Sequence, residues 1–401
     1  MADILAGVKV LDLTRVIAGP FCTQLMADMG ATVFKIERPK LGDDSRSLRP
    51  FMKNAKGEDT KESAFFLSAN RGKHSVTVDV GHPEGAALVR ELAAQCDVMI
   101  ENYKVGGLAK YGLDYESIRK INPSIVYCSV TGFGQDGPYA KRPAYDSVMQ
   151  ATAGMMSMCG EPDGQPMRTT LPVSDMTTGY CAAVAILGAL YHRKNTGQGQ
   201  YIDVSMLDTT ITLNAQQAIS YLTMGEKPRR TGNRSPNVFP SGVFPTADAE
   251  IIMVCPNDNQ FRALCKVMGR EDLAADPRYA NNTLRRQNRE ALAEVLCAEL
   301  KRRPAAEWSE AFENVGVPCS AINNMEEVFA DPQVLARGIR IELPLASGET
   351  VALMRSPLRF SETPVQHKAP PLLGQHTQDV IGGVLRKSAE EIERLRKAGA
   401  I

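Results

Sequence analysis

Over the first 206 residues two hydrophobic periods take turns, and that alternation limits what this chain can fold into. VKVLDLT (8–14), TVFKIE (32–37), HSVTVDV (74–80), DVMIEN (97–102), SIVYCSV (124–130) and QYIDVSM (200–206) are short, apolar and rich in β-branched residues. Such runs make strands buried on both faces. Between them, residues 20–30, 83–96, 145–156 and 175–194 carry helical patterns. Strand and helix in alternation predict an α/β fold with a doubly wound, mostly parallel sheet.

Around residue 222 the texture changes. TMGEKPRRTGNRSPNVFPSG is dense in Gly, Pro and Arg and reads as a long connection. Helical patterns follow over 259–315, then GVPCSAI, two strand-like runs, PPLLGQHT and a final helix, AEEIERLRKAG. At 401 residues the chain exceeds what one core usually organises, so two domains are expected. The smaller, also α/β, should span 226–325. Residues 1–225 and 326–401 should make the larger.

Composition removes several functions. Lys+Arg and Asp+Glu are 46 each, so no overall field recruits nucleic acid or a membrane surface. Nine cysteines are scattered without C-x-x-C spacing, and the five histidines lack ligand spacing, so neither disulfide framework nor metal site is expected. The apolar run CAAVAILGALY (181–191) is short for a bilayer, and the N-terminal segment lacks a basic, cleavable pattern. A reducing cytoplasm is the expected location.

Three features point to chemistry. VKVLDLT–RVIAGP–FCTQLMADMGATVFKIE has the outline of a dinucleotide-binding unit, yet Gly19 is the only glycine of the turn, which removes the G-x-G-x-x-G signature and with it a nicotinamide cofactor. Basic residues recur at the strand boundaries: Arg38, Arg71, Lys73 and Lys104. Carboxyl ends of strands are where open α/β sheets bind ligands, and basic groups there suit phosphates. Lastly, Asp175 opens a helix of small apolar residues in PVSDMTTGYCAAVAILGALY. That position suits a simple helix cap. It equally suits an ionised carboxylate aimed into a cleft, able to attack an activated acyl group such as a thioester.

Taken in order, GVKVLDLTRVIAGPFCTQLMADMGATVFKIERPKLGDDSR, FFLSANRGKHSVTVDV, DVMIENYKVGGLAKYGLDY, TGFGQDGPYAKRPAYDSVMQATAG, PVSDMTTGYCAAVAILGALYHRKNTGQGQYIDVSMLD, GVPCSAINNMEEVFADPQVLARG and PPLLGQHT resemble a class III CoA-transferase of the formyl-CoA-transferase or CaiB/BaiF type. The resemblance implies a Rossmann-like large domain formed by both chain ends, a smaller inserted domain, and two chains interlocked as a homodimer. By motif it makes Asp175 the nucleophile and places Arg38, Arg71, Lys73, Asn102 and Lys104 along the CoA site. CoA and acyl-CoA are then substrates, with no permanently bound cofactor.

Within that family a racemase acting on α-methylacyl-CoA carries a histidine where this chain has Tyr145, a poor base for an α-proton at neutral pH. Formyl-CoA:oxalate transferases usually place glutamine at the position of Ile17 and a glycine run where this chain has TGNRSPNVFPSG. The stretches NNMEEVFADPQVLARG and PPLLGQHT resemble succinyl-CoA:dicarboxylate transferases instead. A dicarboxylate needs a second anion site, for which Arg46 and Arg234 are the candidates; Ile17 is counted with them as substrate-binding.

Overall fold

The computed structural model describes residues 3–401, which divide into two compact units. The larger takes in residues up to Met155, Arg168–Glu226 and Ala336–Ile401; the smaller takes in Met156–Met167 and Lys227–Leu335. Residues 156–167 and 326–335, expected in the larger, cluster instead with the smaller. There the Gly232 amide donates to the Gly160 carbonyl, and the Arg230 guanidinium donates to the carbonyls of Glu161 and Gly164.

The larger unit is built on six parallel strands: β1 (Lys9–Asp12), β2 (Thr32–Glu37), β3 (His74–Thr77), β4 (Val98–Glu101), β5 (Val126–Thr131) and β6 (Tyr201–Ser205). Their order is β3-β2-β1-β4-β5-β6, with Val10 of β1 opposite Val33 on one side and Val98 on the other. All six apolar runs of the sequence are in it.

Side chains alternate between the two faces, as the strand period of two requires. Val10, Val33, Val98, Ile100 and Cys128 join one core with α1 (Ala18–Asp28) and the inner face of α4 (Val173–Thr196). Leu11, Phe34, Val76 and Met99 join the other, with α2 (Pro83–Ala93) and Ile392 and Leu395 of the terminal helix Ala389–Lys397. The tail is pinned to β3: the amides of Gly374 and His376 donate to the side chain and carbonyl of Ser75. The preceding hairpin, Arg340–Pro344 with Thr350–Met354, packs Leu345 and Val351 on Leu67.

Helix α4 extends well beyond the apolar run 181–191, and by length and apolarity it would suffice to cross a bilayer. One side of it, through Ala182, Ala183, Ile186 and Ala189, is buried in the core with α1.

In the smaller unit three antiparallel strands, ordered Cys319–Ala321, Glu250–Val254, Ser241–Pro245, are covered by helices Asp258–Val267, Arg289–Leu300 and Ala305–Glu313. Trp308 stacks on Phe312 in its core, and its indole N–H satisfies the carbonyl of Leu300.

Several basic residues expected to meet ligand are instead part of this framework. Lys73 is fully buried, donating to Asp12, Asn70 and the carbonyl of Pro20. Arg71 forms a two-pronged pair with buried Asp28 and donates to the carbonyl of Met354. Arg46 closes on Glu37 through two bonds of 2.7 and 2.8 Å and lies flat on Phe66. Removing one partner of such a buried pair strands the other. Asp12→Ala should therefore destabilise the fold by about 3–5 kcal/mol in urea titration, and a loss under 1 kcal/mol would refute the assigned role.

Candidate active site

The strand order reverses between β1 and β4, where the loops leaving the two strands diverge. That is where an open α/β sheet leaves a crevice beyond its carboxyl ends. Two cavities open there. One, of about 290 Å³, is lined by Arg15–Ala18 after β1, Asn102–Val105 after β4, Val130–Gly132 at the end of β5, the loop 140–146, and Asp175. The other, of about 400 Å³, is lined by Arg38, Asp43, Val78–Gly81, Lys110 and Tyr111. Arg15, Tyr103 and Lys104 line both.

The turn after β1 is strained and firmly held. Val16 has φ of 71°, in the left-handed region that a β-branched residue rarely enters. Its amide donates to Asp43 at 3.1 Å. On either side, Asn102 clamps Arg15 as a neighbouring strand would: its side-chain oxygen accepts from the Arg15 amide and its NH2 donates to the Arg15 carbonyl. The Asn102 amide is thus committed to the turn, although the residue also lines the cavity.

Two glycines allow close packing behind this turn, Gly179 of α4 against α1 and Gly19 of α1 against Thr14. A Cβ on Gly179 would sit 2.7 Å from the carbonyl oxygen of Ala18 and 2.9 Å from the Phe21 ring. One on Gly19 would sit 2.3 Å from the Thr14 side chain. Without a side chain at Gly179 the first turns of the helices meet, and Ile17 and Ala18 line the same cavity as Asp175.

Asp175 lies in the first turn of α4 without being its cap. That task falls to Asp146, at the start of α3 (Asp146–Thr152), whose Oδ2 accepts from the amides of Ser174 and Asp175 at 2.8 and 3.2 Å. Gln150, buried one turn further along α3, donates to the other oxygen of Asp146 and pairs with the backbone of Thr169. The Asp175 carboxyl is half-buried and pushed up to about 7, first by burial and then by the charge of Asp146. It is therefore held close to its protonation point, with no cation contributing to its shift.

Of the remaining expected residues, Arg38 lines the larger cavity and pairs with Asp44 at 2.7 Å, and Lys104 lines both cavities. Ile17 is buried and lines the cavity of Asp175. Arg71, Lys73 and Arg46 line neither of these cavities. Arg234, in the smaller unit, pairs with Glu290 at 2.8 Å. Arg15, Tyr103, Lys110, Arg142 and Asp146 also line the cavities and escaped the sequence reading. Asp146 alone left a signal there, as the acidic residue opening a helical pattern next to Tyr145.

The chain matches the family described as CoA-transferase family III over residues 5–377. It is 44% identical to the succinate–glutarate CoA-transferase of Agrobacterium fabrum, an alignment covering 97% of this chain and 96% of that protein. To the succinyl-CoA:glutarate CoA-transferase of Mus musculus it is 40% identical, over 99% and 90% of the two chains. The crystal structure of a CAIB/BAIF family protein from Brucella suis matches with a TM-score of 0.86 at 41% identity, covering 95% of this chain and 99% of that one.

The clamp on the strained turn can be tested without any substrate. Asn102→Ala removes two part-buried hydrogen bonds and should cost about 1–3 kcal/mol. Adding Val16→Gly, which admits the left-handed conformation freely, should return part of that loss. Denaturant midpoints of the single and double variants decide it; simple additivity of two losses would show that the turn is not strained.

Proposed function

The chain belongs to CoA-transferase family III, and from that premise we propose that it moves CoA from succinyl-CoA to a dicarboxylic acid of the glutarate type, with Asp175 as covalent nucleophile. The observation that carries this reading is the placement of Asp175. It lines one cavity with the first turn of α1, and that cavity shares a wall of Arg15, Tyr103 and Lys104 with a second. The names of the relatives at 44% and 40% identity support the donor and acceptor.

In this reading the nucleotide end of CoA occupies the larger cavity, its phosphates near Arg38, Lys104 and Lys110. The strand order supports a Rossmann-like reading of the unit. The pantetheine arm passes Tyr103 and brings the thioester to Asp175. One carboxylate oxygen of Asp175 attacks the thioester carbonyl carbon, and the C–S bond breaks to release CoA thiolate, leaving a mixed anhydride. The thiolate then attacks the aspartyl carbonyl carbon and the donor acid departs as carboxylate. The acceptor carboxylate attacks the resulting aspartyl-CoA thioester, releasing thiolate and forming a second anhydride. Return of the thiolate to the acceptor's carbonyl yields the new acyl-CoA and frees Asp175. Each tetrahedral oxyanion needs a donor fixed in advance, and the Ala18 amide in the first turn of α1 is our candidate.

We also propose that the functional particle is a homodimer of interlocked chains. Val184 and Tyr191 on α4, with Ile219, Leu222 and Met224 on the helix Ala215–Met224, are large apolar side chains left exposed. A second copy would cover them, since patches of this kind mark interaction surfaces. Sedimentation at high dilution should still give a dimer; a monomer would contradict the interlock.

Asp175→Asn should fold and bind CoA while losing turnover by several orders of magnitude. Donor acyl-CoA followed by hydroxylamine should convert Asp175 of the native chain to a hydroxamate, read in a peptide mass spectrum. An active Asn variant and no labelling would leave Asp175 a structural residue. Exchange of the substrate's α-proton with solvent deuterium, without labelling, would indicate a racemase.

The ionisation of Asp175 adds a pH test. Only the deprotonated carboxylate attacks, so kcat/KM for the donor should climb as pH rises through about 7 and level above it. Asp146→Asn removes a neighbouring negative charge. It should move that rise to lower pH while the neutral amide oxygen keeps capping α4. A profile that stays in place would show that Asp146 does not set the charge of Asp175.

A further inference from the structure

Resting on that reading, we propose that Arg142 is the residue that recognises the second carboxylate of the acid, so that the loop 139–142 sets the preference for dicarboxylic over monocarboxylic substrates. The residues expected for this task have other partners. Arg46 is closed on Glu37, and Arg234 on Glu290. Of the cations lining the cavity of Asp175, Arg15 is paired with Asp44 at 3.0 Å, and Lys104 is shared with the larger cavity. Lys141 and Arg142 remain, and among the described residues neither forms an ion pair.

Arg142 is also prepared for the role. Its guanidinium carbon sits 3.6 Å from the centre of the Tyr139 ring, and Tyr139 is itself held edge-on by Phe133. Its backbone amide closes the turn onto the Tyr139 carbonyl at 2.9 Å. A guanidinium against an aromatic ring loses little freedom on binding and keeps its in-plane N–H groups for a two-pronged carboxylate contact.

Asp175 and the cations of the loop line one cavity. A substrate that reacts at Asp175 and carries a second negative charge at the end of a short carbon chain would use both. A monocarboxylic acid of the same length leaves Arg142 without a partner.

The test compares glutarate with pentanoate as acceptors, using succinyl-CoA as the common donor. In a double-displacement scheme kcat/KM for the acceptor reports only the acceptor half-reaction, so the donor's own carboxylate does not enter. If the native enzyme transfers no CoA to glutarate, the proposed function fails before Arg142 is tested. Given that activity, Arg142→Ala should lower kcat/KM for glutarate by about 10- to 100-fold, the size of one charged hydrogen-bonded contact. The ratio of glutarate to pentanoate should collapse toward one. Arg142→Lys should retain part of the preference, and Tyr139→Leu, which removes the platform, should lower it less than Arg142→Ala does. An unchanged ratio would overturn the proposal. Equal losses on both acceptors, with weaker CoA binding by calorimetry, would overturn it too and assign Arg142 to the CoA.

Discussion

Asp12 ends the central strand wholly buried, and the groups around it determine the shape of everything beyond that strand. One oxygen accepts from the amide and hydroxyl of Thr14; the other accepts from Thr23 and the ammonium of Lys73. Burial works to raise this carboxyl, but Lys73, then Lys35 and the two threonines, outweigh it and hold it at about 2. Lys35, equally buried, continues the chain to the Thr14 carbonyl and Asp43, and Asp43 accepts from the amide of Val16. Charges so far from water are worth their desolvation only when nearly every lone pair and proton is satisfied, so this network tolerates few geometries. Its chosen geometry bends the chain at Val16 and starts α1 at the cavity floor.

How much of this could be read in advance depended on the range of the interactions. The six strands were legible because runs such as TVFKIE and SIVYCSV carry their burial in their own composition. Asp175 drew notice through PVSDMTTG, a local pattern, and it lines a cavity at the carboxyl ends of the strands. The pairing of Arg71 and Lys73 was hidden for the opposite reason. A basic residue at a strand boundary looks the same in sequence whether it faces solvent, ligand or an acid dozens of residues away. Here the acids are Asp28 and Asp12; Arg46 pairs with Glu37, only nine positions before it. Asp146 showed in the sequence only as the start of its own helix; that it caps α4 was hidden on the same account, since it lies 29 positions before the residue it helps to hold. Likewise, nothing in RVIAGP announces that valine takes a conformation usually left to glycine.

Asp146 does two things that pull in opposite directions, and the balance suits a nucleophile. Capping α4 fixes the backbone of Ser174 and Asp175, and the same negative charge discourages Asp175 from ionising. A carboxylate held at low pKa by a salt bridge would be ionised at all times but weakly nucleophilic, and a cation beside it would have to be displaced at each attack. A carboxylate poised near neutrality keeps a large ionised fraction and a more basic oxygen. Burial and Asp146 raise Asp175, while Lys73 and Arg71 pair with Asp12 and Asp28 in the framework.

The proposed mechanism has a consequence for binding. Acylation would remove the charge of Asp175 from this part of the cavity. The free enzyme would then repel a second anion near Asp175 more than the acylated enzyme does. In that mechanism the acceptor acid brings its own carboxylate to the spot only after the donor has neutralised the nucleophile, so the charge at one side chain favours the order in which thioester and acid are used.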